Sequence, residues 1–423
     1  MRVLPPLLAR LRGPALLSLL DQAAVSGFGF LAGIAAARLI DMEAFGRFAL
    51  VLIVAGFAQG LHNALVTAPL MTLAGSVRHP ARYAAAVSTG ALVLAAGLAL
   101  GVAGALALYF SVRGEAVPVD LVTAAGALTL AQNLQLTARR LLFAYGGGAK
   151  ALAMDLVRAA TFPLAVAGLW AAGIPLDAAR LVEFLALTAF LTTLPVLLGR
   201  AVEPGRRQLT VTARRHWQMA RWLLPVVLVT FGQEQLVWIL AGGTLGDEAL
   251  GGLRAAQYLV GIVLLMLAAT ENVVPTGAGR AYETGGEPAL RAYLLAVTRR
   301  LGVPVGFLLA LVAVPADLWL RLVFGAPYMP YAPCLRWLAL GVAFIFLRDM
   351  VAQIFRARRR TDVIFRAFAV SFAVSLALIQ PLLGRYGATG AAAVVALAHG
   401  ASLVALLAAL GRGRATPAES RRC

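Results

Sequence analysis

FALVLIVAGFAQGLHNALVTAPLMTLAGSVRHPAR, residues 48–82, decides the fold class of this chain. No Asp, Glu, Lys or Arg lies between Arg47 and Arg78, so the run exceeds the roughly 20 helical residues that cross a hydrocarbon core of about 30 Å. Working outward, the pattern recurs at 15–38, 82–110, 119–143, 151–173, 179–199, 220–243, 253–276, 301–323, 332–355, 361–383 and 388–411. Helix breakers mark the gaps, among them Pro80, Pro118, Gly146-Gly147-Gly148, Pro175, Pro204-Gly205, Gly242-Gly243, Gly285-Gly286, Pro327 and Gly384. At 61% hydrophobic and 13% charged residues, the composition lies far from that of soluble domains. The reading is all-α: a polytopic membrane protein of about 12 transmembrane helices joined by short connections.

Orientation follows from the basic residues, because Lys and Arg are retained on the cytoplasmic side during insertion. Taking the N-terminus and every second gap as inward places about 27 of the 37 Lys and Arg residues inside and 7 outside. Arg78, Arg82, Arg139, Arg140, Lys150, Arg214, Arg215, Arg358, Arg359 and Arg360 fall inside; Arg38, Arg47, Arg113, Arg180, Arg254, Arg321 and Arg385 fall outside. Both termini are therefore expected in the cytoplasm, with the chain multi-pass in an inner membrane. The single lysine against 36 arginines suggests a bacterial source. The net charge of +18 reflects this asymmetry and contact with anionic membrane lipids, not nucleic acid, since no aromatic-interleaved basic patch stands outside the loops. The first span is long and is followed by further spans, so it reads as a retained anchor rather than a cleaved leader.

Metal and nucleotide chemistry find little to work with. Four histidines at 62, 79, 216 and 399 are scattered, and Cys334 and Cys423 form no ligand cluster. Lys150 follows Gly146-Gly147-Gly148-Ala149 but precedes Ala151, so the phosphate-loop pattern is absent. The longest gaps, near 200–219 and 277–300, are read as modest cytoplasmic loops without a catalytic set. No enzyme activity, metal or cofactor is expected.

Polar residues within the spans carry the functional signal, because such groups are costly in hydrocarbon unless they face protein or a wet cavity. Gln59, His62 and Asn63 lie at i, i+3 and i+4 in span two, on one helix face. Gln132, Asn133 and Gln135 hold a similar depth in span four, and Gln233, Glu234 and Gln235 in span seven. An amide belt suits hydroxyl-rich sugar, since amides both donate and accept; interhelical hydrogen bonding is the plainer reading of each residue alone. Glu234 and Asp21 are the candidate sites for coupling to a proton or sodium ion. Asp155 and Arg158, at i and i+3, are expected to pair with each other. Arg348, about two turns inside span ten beside Asp349, and Arg158 are the candidates for forking onto a diphosphate.

A self-match divides the chain. Glu43-Ala44-Phe45-Gly46-Arg47-Phe48 follows the first span, and Glu248-Ala249-Leu250-Gly251-Gly252-Leu253 follows the seventh. Six spans separate them, so the copies share one orientation, giving lobes at 1–205 and 206–423 with a substrate path between them. The stretch Ala37 to Leu50, preceded by Asp21-Gln22, resembles the opening of bacterial polysaccharide-biosynthesis flippases of the O-antigen translocase type, within the multidrug/oligosaccharidyl-lipid/polysaccharide exporter superfamily. Gly251 to Gln257 is similar to that family's start of the eighth helix. The resemblance implies two parallel six-helix lobes, alternating access and a polyprenyl-diphosphate-linked oligosaccharide as cargo. It also implies a place in lipopolysaccharide or other surface-polysaccharide synthesis beside a polymerase and chain-length proteins. A multidrug or toxin extruder of the same superfamily is the first alternative; a membrane polymerase or glycosyltransferase is the second.

Overall fold

In the computed structural model, residues 14–198, 204–270 and 274–412 are described, and side chains from 27 to 196, 204 to 267 and 274 to 411. Asp21, Arg2, Arg10, Arg12, Arg200, Arg412, Arg414, Arg421, Arg422 and Cys423 lie outside the described side chains. All secondary structure among the described residues is helical. In chain order the elements are α1 Pro14–Leu39; α2 (42–73); α3 Pro80–Val112; α4 Val119–Ala144; α5 Gly148–Ala171; α6 Ala178–Leu198; α7 Arg206–Leu245; α8 Asp247–Thr270; α9 Val274–Ala313; α10 Ala316–Val323; α11 Ala332–Ala357; and α12 Thr361–Arg412. Nine segments are long and apolar enough to cross a membrane by composition alone. Adding α1 and the amide-bearing α4, and counting α12 as two arms that meet at a non-helical Gly387 (φ 56°), brings the long apolar segments among the described residues to the expected twelve. Gly387 supplies the left-handed turn that a residue with a Cβ adopts only at a cost.

Three stretches depart from expectation, each for a local reason. The gap at 200–219 is no loop from Arg206 onward, because α7 starts there and runs unbroken for 40 residues. Its first part is amphipathic: Thr212, His216 and Ala220, at i, i+4 and i+8, are buried while Arg206, Arg207, Arg214 and Arg215 are exposed. The gap at 277–300 is likewise helical within α9, broken only at Gly285 and Gly286. Span nine does not continue to 323. It ends at Ala313, and Pro315 caps a separate eight-residue helix, α10, since a proline ring clashes with the preceding turn. Asp317 and Arg321 make α10 amphipathic, with Ala316 and Leu320 wholly buried.

The chain forms two compact units, 1–231 and 232–423, so the division falls inside α7. Its first part belongs to the first unit because it is bolted there: Val227 lies against Gly60, and the Phe231 ring packs on Phe57 at 4.3 Å between centroids, tilted by 35°. Both units are built on small residues, as expected where helices associate in lipid by close packing rather than by the hydrophobic effect. In the first unit Ala91, Ala95, Ala125 and Ala138 are wholly buried. In the second, a Cβ at Gly341 would sit 3.3 Å from the Ala396 backbone. Gly252 is tighter still, since a Cβ there would fall 2.3 Å from the Tyr331 ring; it stands opposite Arg47 in the self-match, so the close packing under this ring belongs to the second copy.

Candidate functional site

In the first unit, α4 and α5 share a buried ionic network. Asp155 receives Arg139 at 2.6 Å through Oδ2 and the Gln135 amide at 3.0 Å through Oδ1. Arg158 does not take Asp155 as its hydrogen-bond partner. It donates instead to the Gln135 side-chain oxygen and, at 3.5 Å, to the Leu185 carbonyl of α6, while its guanidinium lies 5.1 Å over the Phe28 ring of α1. The reason is spacing: α4 presents Gln135 and Arg139 one turn apart, which lets Gln135 bridge the two α5 residues. The Arg158 Nε–H has no acceptor among the described residues.

The span-two residues separate. His62 is fully buried and its Nε2 meets Thr137 Oγ1 of α4 at 2.8 Å; Asn133, one turn earlier, is also buried. Asn63 is exposed and accepts from Thr67 at 2.6 Å, and Gln59 and Gln132 are half-buried. His62 and Asn133 are therefore internal, whereas Gln59, Asn63 and Gln132 keep polar atoms open to the surface of the unit. Just beyond, α2 widens into a π turn at Asn63–Thr67. Pro69 has no N–H to return to the Leu65 carbonyl, the acceptor four residues back. His216 of α7 satisfies it, with Nδ1 3.2 Å from Leu65 O. That bond fixes the tautomer: Nδ1 carries the proton and Nε2 accepts from the Tyr83 hydroxyl at 2.8 Å.

The second unit holds two arginine centres. Arg348, only 9% exposed, bonds Asp349 at 2.9 Å and His399 Nδ1 at 3.3 Å and stacks 4.8 Å over Phe368. Glu234 is exposed in the same unit and feels the Arg348 charge. Gln233 donates to Ser371 at 3.3 Å. The other centre is Arg254, which the sequence placed outside the membrane because span eight was begun at residue 253. Helix α8 starts earlier, at Asp247 and Glu248, where acidic side chains favour a helix N-terminus, so Arg254 lies about 10 Å along it. Its guanidinium bonds Gln257 and, at 3.2 Å, Gln235, and lies 5.5 Å from the Trp238 ring; Nε again has no acceptor among the described residues. Arg254, Gln257 and His399 were missed as site residues. The adjoining Gln235 and Trp238 were the available signal for Arg254.

Cysteine labelling in intact membranes separates these classes. Cysteines at Gln59 and Gln132 should react with a small water-soluble thiol reagent, whereas one at Asn133 should be protected. Equal protection at all three would leave only the interhelical reading.

No group of three or more His, Cys, Asp or Glu side chains among the described residues could hold a metal ion. No protein-family model and no curated protein matches the chain. Solved structures do match. The inward closed conformation of the lipid II flippase MurJ aligns with a TM-score of 0.70 at 13% identity, over 94% of this chain and 87% of that one. An inward-facing multidrug resistance MATE family transporter of the MOP superfamily aligns at 0.64 and 17% identity, over 94% and 96%. A MOP superfamily transporter from Pyrococcus furiosus, described as having a binding pocket of reverse polarity, aligns at 0.57 and 16%, over 95% and 93%. With nearly the whole of each chain superposed, the protein has the fold of the MATE and MurJ transporters of the MOP superfamily.

Proposed function

We propose that this protein is a flippase that moves a polyprenyl-diphosphate-linked oligosaccharide across the bacterial inner membrane, from the cytoplasmic to the periplasmic leaflet, for surface polysaccharide synthesis. The observation that carries the proposal is the set of guanidinium groups set into apolar helices at Arg158, Arg254 and Arg348. Each is flanked by an amide, an imidazole or an aromatic face. A charge in hydrocarbon costs several kcal/mol, and a dianionic headgroup needs replacement for its water. Arginine forks and amides supply that replacement, while the isoprenoid tail stays in lipid, so no covalent chemistry is required. The likeness to a lipid II flippase supports a lipid-linked cargo. Glu234, exposed within reach of the Arg348 charge, is the proposed coupling group for a proton or sodium ion. A polysaccharide polymerase and chain-length proteins are the proposed partners.

Extrusion of cationic drugs is the second reading, favoured by the exposed Glu234 carboxylate and the MATE likeness. Proteoliposomes decide between them. The flippase reading expects a fluorescent polyprenyl-diphosphate saccharide to become accessible to an impermeant quencher only when the protein is present, with a cationic dye left untransported. Dye extrusion without lipid translocation would replace it.

A further inference from the structure

An open apolar cavity of about 670 Å³ runs between α1 and α5 of the first unit. Its size falls in the range of small-molecule sites, roughly 300–1,000 Å³. Among the described residues the lining side chains carry no charge and no amide, from Phe28 to Leu39 on α1 and from Leu156 to Trp170 on α5, which makes it about 20 Å long. Small residues such as Ala35, Ala159 and Ala167 form much of it, and Phe162 stands edge-on to Phe28 at 5.5 Å. Pro163 leaves the Ala159 carbonyl without its usual helical donor, and both residues line the cavity. The Phe28 end meets Arg158, whose guanidinium covers the Phe28 ring and whose Nε–H lacks an acceptor among the described residues. Arg158 itself lies about 15 Å along α5 from Gly148.

We infer that this groove seats the isoprenoid chain of the cargo, with the diphosphate end directed to Arg158. The inference rests on the flippase reading and deepens it. Three features select the occupant. A lining without one ionisable or amide side chain takes hydrocarbon. A single channel between two helices takes one chain, whereas a bilayer phospholipid brings two. A cation at one end, its Nε–H without an acceptor among the described residues, takes an anionic head on that chain.

The test uses the full chain in phosphatidylcholine nanodiscs and a polyprenyl diphosphate bearing a diazirine in its tail. Photolysis should place adducts on the α1 stretch 28–39 and the α5 stretch 156–170. Ala159→Trp and Ala167→Trp, at half-buried and exposed lining positions, should each raise the half-saturation concentration about tenfold. Arg158→Gln should weaken the diphosphate but not the uncharged polyprenol. A two-chain phosphatidylglycerol should fail to displace the probe at equal concentration. Saturable binding with adducts on other helices, or displacement by phosphatidylglycerol, overturns the groove assignment and leaves the flippase reading standing. Absence of any saturable binding of the probe overturns both. Adduct mapping is done on the unaltered protein, so the groove assignment is tested whether or not the tryptophan variants fold.

Discussion

Arg348→Gln should lower the translocation rate of a lipid-linked saccharide roughly 10- to 100-fold, the equivalent of losing one charge-assisted hydrogen bond of about 1.5–3 kcal/mol. Arg348 is the most enclosed of the three proposed headgroup contacts, held by Asp349, His399 and the face of Phe368. The substitution removes the fork and leaves Asp349 without its partner and Glu234 without a compensating charge. Arg348→Lys should recover only part of the rate, because an ammonium is a point charge that cannot grip two oxygens in a plane. The measurement is initial rate in proteoliposomes at matched protein density. A rate equal to that of the unaltered protein for Arg348→Gln would remove this residue from the transport path.

Asp155→Asn should be the most destabilising change in the first unit. Asp155 is the carboxylate that receives both Arg139 and Gln135, and it is 5% exposed. Breaking a buried pair by deleting one partner costs about 3–5 kcal/mol, and the surviving Arg139 charge, 16% exposed, stays largely shielded from water. The melting midpoint in detergent should drop on the order of 10 °C for a unit of this size. The double variant Asp155→Asn with Arg139→Gln should regain much of the loss, since neither charge then remains. A midpoint unchanged by the single substitution would mean that lipid or water already solvates Arg139.

Class and span count were legible because hydrocarbon imposes a simple rule, long uncharged runs closed by arginine, and residues 48–82 obey it. Boundaries governed by helix-end chemistry were less so. Asp247 and Glu248 start α8 six residues before the apolar run and set Arg254 two turns into the helix, and Pro315 stops α9 within an apolar stretch. The amide belt was readable in composition and depth but not in role. His62 and Asn63 are sequence neighbours about 100° apart on the helix, so one turns inward to Thr137 while the other faces out. Which of the two does so depends on where α4 lies, information that α2 alone does not contain. The pairing of Arg158 with Gln135 instead of Asp155 has the same origin, since i, i+3 spacing reports only on partners within one helix.

The widened turn at Asn63–Thr67 acts as a phase shifter. An α-helix advances about 100° per residue, and a π turn absorbs one residue more than its α counterpart. Everything after Thr67 is thereby set a quarter-turn away from where an unbroken helix would put it. In the shifted phase Leu70 is wholly buried and Met71 faces out at 41% exposure. Leu70 then joins Val66, Ala74, Tyr83 and Leu141 in one apolar cluster. Deleting any one residue between 63 and 67 would restore the ideal helix and swing this end of α2 off its cluster. It would also carry the Leu65 carbonyl away from His216, unclasping α7. The irregular turn is thus what keeps one helix in step with two neighbours that a perfect helix could not satisfy together.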